Sequence, residues 1–279
     1  MPRIRARKRY GQHYLVDSSI AERMAGMVEA DPGQVILEVG PGTGALTAPL
    51  IARHGRLVAV EIDRDLVCRL RQRFEPAQLC LINADILQVD LKQLELHERS
   101  AGLVVVGNLP YNITAPLLFR LLDHRQIIHR AVVMVQYEVA ERLVAPPGNR
   151  RYGQITVLLG AYARIRILME VGASAFRPVP KVRSAVVECM FEKQPRYPIQ
   201  DEKTFRRVVR TAFGQRRKML RNSLTGMLPS DQRECLPEIA RRAGITLTQR
   251  PEQLGVEQFA RLADEFVAFV QGQAQSSAP

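Results

Sequence analysis

VILEVGPGTG, at residues 35–44, decides the fold because an apolar run passes directly into a glycine-rich loop. An uninterrupted run of aliphatic residues is typical of a strand that is buried on both faces of a parallel sheet. Glycines directly after such a strand let the chain turn sharply and bring its backbone close to a nucleotide-like ligand. The stretch therefore predicts the first strand and the ligand-binding loop of an α/β sheet.

Further apolar runs follow at intervals that leave room for one helix between consecutive strands. This alternation is the pattern of a doubly wound parallel sheet. The runs are LVAVE at 57–61, LCLIN at 79–83, LVVVG at 103–107 and AVVMV at 131–135. RIRILMEV and AVVECMFE, between residues 164 and 192, predict an antiparallel pair that closes the sheet. The predicted fold class is α/β, with a doubly wound, Rossmann-like sheet.

A change of composition marks the end of the sheet domain. EKQPRYPIQDE, at 192–202, has two prolines, mixed charge and no periodic apolar pattern, which is typical of a linker. Beyond it, apolar residues from Phe205 to Ala212 recur at helical spacing. We therefore predict a first domain at 1–192, with a basic N-terminal arm, and a small all-α C-terminal domain at 193–279.

The composition limits the location and the chemistry of the protein. Its 279 residues are 46% hydrophobic, which indicates an ordered globular chain. Apolar stretches are shorter than the roughly eighteen residues that a membrane span needs, and no apolar segment follows the basic N-terminus. We expect a cytoplasmic protein without a membrane partner. The four cysteines lie far apart without paired spacing, so we expect neither a metal site nor a disulfide framework.

The charge of the chain predicts a polyanionic partner. The formal net charge is +12, which is more than an enzyme of small metabolites needs. Basic residues concentrate in the N-terminal arm and between residues 203 and 221, a run that contains no acid. Clusters at two distant points of the chain indicate a surface for phosphates. A solvated helix face is the alternative for Arg216, Arg217 and Lys218, but their density without acids favours phosphate contacts.

The glycine loop favours a methyl donor over a dinucleotide. A dinucleotide fingerprint that begins at Gly40 would place its third glycine at position 45, where this chain has Ala45. Glu61 follows Gly44 by seventeen residues and ends the second strand, so its carboxylate can accept hydrogen bonds from both hydroxyls of a ribose. Asp85 ends the third strand, and the sequence leaves it open between a ligand contact and a helix N-cap.

The motif GNLPYN, at residues 107–112, carries the predicted chemistry. The exocyclic amine of adenine is a poor nucleophile because its lone pair is delocalised into the ring. The Asn108 side-chain oxygen and a backbone carbonyl in a proline-stiffened turn can accept both amine hydrogens, and Tyr111 can stack on an extruded base. A simple tight turn is the structural alternative. The position of the GNLPYN motif directly after the fourth strand favours the catalytic interpretation.

Together these residues resemble the KsgA-type ribosomal RNA adenine N6-dimethyltransferases, a family that includes the macrolide-resistance methylases. The similarity spans nearly the whole chain. The matching blocks are RKRYGQ at 7–12, EVGPGTG at 38–44, EID at 61–63, GNLPYN at 107–112, SAFRPVPKV at 174–182 and FGQRRK at 213–218. The resemblance implies a class I methyltransferase fold and S-adenosylmethionine as the methyl donor.

The resemblance also implies roles for individual residues. The cofactor-binding residues would be His13, Leu15, Gly40, Glu61, Asp85 and Asn108. The catalytic residues would be Asn108, Leu109, Pro110, Tyr111 and Phe176, with Tyr111 and Phe176 as the two rings around the flipped adenine. The RNA-binding residues would be Arg216, Arg217, Lys218 and Arg221. The family usually has Asn where this chain has His13. By themselves, the residues around Phe176 are more typical of a core anchor than of a stacking ring, and the resemblance makes the two interpretations about equal.

The implied substrate is 16S ribosomal RNA, at two adjacent adenosines near its 3′ end, within an assembling small subunit. The protein is expected to act as a monomer, with the two domains forming a positively charged cleft. The nearest rival is a large-subunit RNA methylase, and the tail from Phe213 to Arg221 argues against it. A nucleic-acid-binding paralogue without turnover is a rival of another class, which the intact Asn108 motif disfavours. A DNA adenine methylase, which would normally have an acid at position 108, and a dehydrogenase rank lower.

Overall fold

The computed structural model describes residues 12–98 and 101–276, and their contacts divide into two compact units. The first unit comprises residues up to 140 together with 164–193, and the second comprises 141–163 together with the chain from 194 onwards. The basic residues of the N-terminal arm, which run from Arg3 to Arg9, lie outside the described residues. The division into a methyltransferase domain at 1–192 and an RNA-binding domain at 193–279 stays a prediction. By its contacts, however, 141–163 groups with the second unit rather than with the sheet.

The first unit is built on a seven-stranded sheet. The strands are β2 (Val35–Val39), β3 (Leu57–Glu61), β4 (Leu79–Asn83), β5 (Leu103–Asn108), β6 (Ile128–Gln136), β7 (Ala163–Val171) and β9 (Ser184–Phe191). Their order in the sheet is β4-β3-β2-β5-β6-β9-β7, in which the neighbours from β4 to β6 are parallel and β6 and β9 are antiparallel. The predicted α/β class, and the position of every predicted strand, are confirmed.

Helices cover the central strands, whose side chains are buried. Leu37, Val60 and Val105 are at most 2% exposed, as expected for strands that lie between two helical layers. The helices of this unit are α1 (Ser18–Gly26), α2 (Thr47–His54), α3 (Arg64–Arg73), α4 (Leu91–Glu98), α5 (Thr114–Asp123) and the start of α6 (Tyr137–Leu143). The chain leaves β2 towards β3 on one side and returns to β5 on the other. This reversal opens a crevice at the carboxyl ends of β2 and β5.

A second, two-stranded sheet lies in the same unit. β1 (Tyr14–Leu15) pairs antiparallel with β8 (Phe176–Arg177), so that Leu15 lies opposite Phe176. Both side chains are buried in the core, with Leu15 4% and Phe176 1% exposed. The ladder attaches the N-terminal segment to a loop that is more than 150 residues away in the sequence.

The second unit is helical. Its helices are α7 (Gln154–Gly160), α8 (Glu202–Gly214), α9 (Leu220–Ser223), α10 (Leu236–Arg242) and α11 (Val256–Ser276). The stripe on α8 from Phe205 to Ala212 is buried, as its spacing predicts. Phe213 contacts the rings of Tyr152 and Phe259, so the loop before α7 belongs to this core. Among the described residues, no helix is both long and apolar enough to cross a bilayer.

Candidate active site

The glycine loop after β2 has a backbone that only glycine adopts readily. Gly40 and Gly42 have φ values of +65° and +57°, in the left-handed region. A Cβ on Gly40 would meet no atom within 4 Å. The backbone conformation, not a steric clash, is therefore the reason for glycine at this position, and open space lies beside it at the crevice. At Gly107 the reason for glycine is steric, because a Cβ there would lie 2.5 Å from the Val39 carbonyl oxygen. It allows β5 to approach β2 closely beneath the crevice.

The Glu61 carboxylate is held against the glycine loop by the backbone. Its Oε2 accepts a hydrogen bond from Gly42 N at 3.1 Å, and its Oε1 accepts one from Asp63 N at 2.9 Å. The residue is only 4% exposed, and burial raises its pKa, although the backbone donors act in the opposite direction. Glu61 is therefore a fixed acceptor at the wall of the crevice.

A second carboxyl group lies buried at the end of β2. Glu38 is 1% exposed, and burial raises its pKa to about 8. Its Oε2 has no hydrogen-bond partner within the described part of the chain. The neutral acid is thus the favoured form of Glu38 at neutral pH.

The crevice contains a pocket that brings together most of the predicted site residues. Those that line it are His13, Gly40, Glu61, Asp85, Asn108, Leu109, Pro110 and Tyr111. Leu15 and Phe176 do not line it, since both side chains are buried in the β1–β8 ladder. In this conformation the Phe176 ring offers no face to a base, so its stacking role stays a prediction that requires the loop to move.

The pocket also includes residues to which the sequence analysis gave no role. Gln12, Ile62 and Ile113 contribute to its wall. Gln12 and Ile62 are chain neighbours of the predicted residues His13 and Glu61, and Ile113 directly follows the GNLPYN motif. The rule that strand-end loops converge at the carboxyl edge could have found Ile62 and Ile113.

The Asn108 turn is fixed by hydrogen bonds from both sides. Leu109 N donates to Met134 O at 3.0 Å, and the Pro110 carbonyl accepts from Ile113 N and from Thr114 Oγ1, each at 3.1 Å. Asn108 Nδ2 donates to the His13 carbonyl at 2.9 Å. The side-chain amide therefore has one orientation, in which Oδ1 is the atom left to accept a bond.

Asp85 has both of the features that the sequence left open. Its Oδ1 accepts from Leu87 N at 2.9 Å, which is a cap of the following turn. It also lines the pocket, on the side of β4. The capping bond fixes the carboxylate beside the cavity, so the two interpretations are compatible.

The basic cluster of the second unit divides into paired and exposed residues. Arg216 donates to the Arg150 carbonyl, and its Nε lies 3.9 Å from Glu252 Oε2. Arg217, Lys218 and Arg221 are exposed. The predicted phosphate-binding set is therefore not uniform, since Arg216 is turned towards its own unit.

Acidic, histidine and cysteine side chains do not gather into a metal site anywhere in residues 12–98 and 101–276.

A model of the ribosomal RNA adenine dimethylase family matches residues 3–267. The chain belongs to this family. It is thus a ribosomal RNA adenine dimethylase, and S-adenosylmethionine is the methyl donor.

Relatives of the same family match over nearly their full length. The chain is 42% identical to ribosomal RNA small subunit methyltransferase A of Bordetella avium, over 96% of this chain and 98% of the relative. It is also 42% identical to the protein of that name from Pseudomonas aeruginosa, over 94% of each chain.

Solved structures resemble the fold. A dimethyladenosine transferase from Plasmodium falciparum matches with a TM-score of 0.75 and 22% identity, over 92% of this chain and 98% of the other. The 23S rRNA methyltransferase ErmE matches with a TM-score of 0.68 and 25% identity, over 91% and 99%. The likeness to the first of these shows the fold alone.

Proposed function

We propose that this dimethylase acts on small-subunit RNA, and methylates the N6 amines of two adjacent adenosines near the 3′ end of 16S ribosomal RNA during subunit assembly. The observation that carries the proposal is the 42% identity, over nearly both full chains, to relatives named for the small subunit. The large-subunit enzyme ErmE is a more distant match, at 25% identity. We also propose that the protein acts as a cytoplasmic monomer.

The pocket fits S-adenosylmethionine by the chemistry of its walls. The cofactor supplies a methyl group on a positively charged sulfur. A carboxylate has about four acceptor positions, and backbone donors use only some of those on Glu61, so others remain for the ribose hydroxyls. The Gly40 loop leaves open space beside the backbone, and Asp85 offers its carboxylate from the neighbouring strand end.

Asn108 is proposed to orient the adenine amine. Because its Nδ2 is bound to His13 O, its Oδ1 can accept one amine hydrogen. The Pro110 carbonyl already accepts two bonds within the turn, which makes the Leu109 carbonyl the better candidate for the second hydrogen. Two acceptors in fixed positions favour a pyramidal nitrogen whose lone pair faces the methyl group.

Tyr111 is proposed to stack on the extruded adenine. Its ring lines the pocket, two residues beyond Leu109. Stacking on an aromatic ring stabilises an unstacked base by about 1–3 kcal/mol. Phe176 could add a second ring only after the β1–β8 segment has rearranged, because it is buried here.

The exposed cations Arg217, Lys218 and Arg221 are proposed to bind RNA phosphates. They lie within the run that contains no acid, so no nearby carboxylate in that run neutralises them. Arg216 contributes indirectly, because it holds the Arg150 loop in place.

Mass spectrometry of ribosomal RNA from cells with and without the gene tests the proposal. We expect dimethyladenosine to be lost from the 3′ end of 16S RNA without the gene. Expression of the wild-type gene should restore it, and expression of Asn108→Ala should not. Loss of methylation from 23S RNA instead would contradict the choice of subunit. Unchanged methylation in both RNAs would contradict the proposed reaction.

A further inference from the structure

We propose that His13 is a positioning residue, whose ring supports Tyr111 and whose carbonyl orients Asn108. The inference rests on the proposed function of the pocket. This role is additional to the cofactor contact that the family resemblance implies for His13. One residue would then set the geometry of both groups that hold the adenine.

The rings of His13 and Tyr111 form a stacked pair. Their centroids lie 5.3 Å apart, and their planes differ by 28°. This distance is within the range of favourable aromatic pairs, and it leaves one face of Tyr111 covered. The Tyr111 hydroxyl lies 3.4 Å from Ser184 Oγ. Contacts at the face and at the tip together restrict the rotation of the Tyr111 ring at the wall of the pocket.

The His13 ring is itself fixed. Its Nδ1 lies 2.7 Å from the Pro178 carbonyl oxygen. A carbonyl oxygen only accepts, so Nδ1 carries the proton in this contact. The backbone beside it is anchored as well, because Val16 N donates to Ala175 O at 2.8 Å and Tyr14 pairs with Arg177. The support for Tyr111 is therefore rigid rather than a loose surface contact.

The same residue orients Asn108 through its backbone. The bond from Asn108 Nδ2 to His13 O leaves Oδ1 as the acceptor for the substrate amine. This contact does not depend on the side chain at position 13, whereas the stack on Tyr111 does. Asn, which the resembling family usually has here, would keep the first contact and lose the second. The two contributions of His13 can therefore be separated by mutation.

Three variants separate these contributions: His13→Ala, His13→Asn and His13→Phe. The first two remove the ring and keep the backbone carbonyl, and the third keeps an aromatic ring. We expect Ala and Asn to lower the single-turnover methylation rate about three- to tenfold, the equivalent of one aromatic pair. Phe should restore most of the rate. The rate is measured at saturating S-adenosylmethionine, so that a change in cofactor affinity does not enter the comparison. Calorimetry with S-adenosylhomocysteine measures that affinity separately, and the melting temperature should stay close to the wild-type value.

A double-mutant cycle with Tyr111→Ala provides the decisive measurement. The substrate is the undimethylated small ribosomal subunit. In parallel, 2-aminopurine at the target position reports base extrusion without methyl transfer. If His13 acts by supporting Tyr111, His13→Ala should change neither the rate nor the fluorescence in the Tyr111→Ala background.

Three results would overturn the inference. Additive effects in the cycle would show that the two rings act independently. A faster His13→Ala variant would show that the His13 ring occupies the place of the base. A tenfold loss of S-adenosylhomocysteine affinity at an unchanged single-turnover rate would make His13 a cofactor contact without a positioning role. Failure of the proposed function looks different, because wild-type protein would then leave the small subunit unmethylated.

Discussion

Glu61→Gln tests the cofactor site with the smallest change of shape. Both carboxylate oxygens accept backbone bonds, from Gly42 N at 3.1 Å and from Asp63 N at 2.9 Å. An amide has only one oxygen, so in Gln one backbone N–H would face an NH₂ group and lose its acceptor. The ribose hydroxyls would lose a charged acceptor as well. A hydrogen bond to a charged group contributes about 1.5–3 kcal/mol, so we expect the Kd for S-adenosylhomocysteine to rise about 10- to 150-fold.

The pH dependence of binding provides a control within the same experiment. Burial raises the pKa of Glu61, so this carboxylate gains a proton at a higher pH than an ordinary Glu does. Wild-type affinity should therefore weaken as the pH is lowered towards that pKa, whereas the affinity of Glu61→Gln should respond less. Calorimetry between pH 5 and 8 measures both. An unchanged Kd in Glu61→Gln, or the same pH dependence in both proteins, would refute the assignment of the ribose to Glu61.

Three further predictions concern catalysis, RNA binding and stability. Asn108→Ala should raise the activation free energy by about 2.7–4 kcal/mol, which lowers the single-turnover rate a hundredfold or more, with RNA affinity retained. A wild-type rate would contradict the role of Asn108. Replacing Arg217 and Lys218 with Gln should flatten the dependence of RNA affinity on log salt by about two units in filter binding, whereas Arg216→Gln should leave the slope unchanged because Arg216 is already paired. The folded-state pKa of Glu38 is about 8, above its unfolded value of 4.5, so wild-type unfolding free energy should fall as pH rises through this window, by at most about 1.4 kcal/mol per unit. Glu38→Gln should lack this slope in urea denaturation, and parallel curves for the two proteins would show that Glu38 is ionised.

The sequence by itself determined the sheet and most of the pocket. Buried parallel strands need uninterrupted apolar runs, so their positions can be read from the local pattern alone. Polar residues at the ends of those runs, such as Glu61 and Asn108, must then converge, because the carboxyl ends of parallel strands share one edge. The family resemblance supplied the ribosomal RNA substrate and the identity of the remaining residues.

Only the tertiary structure decided how distant segments meet. The β1–β8 ladder is two residues long, and a pairing so short leaves no periodic signal in the sequence. That pairing buries Phe176, which the resemblance had given to the substrate, and it brings His13 against Tyr111. Whether Arg216 was free for phosphate depended on its bond to the Arg150 carbonyl, 66 residues away in the chain. Composition shows that a charge is present, but its partner is set by which loops fold next to each other.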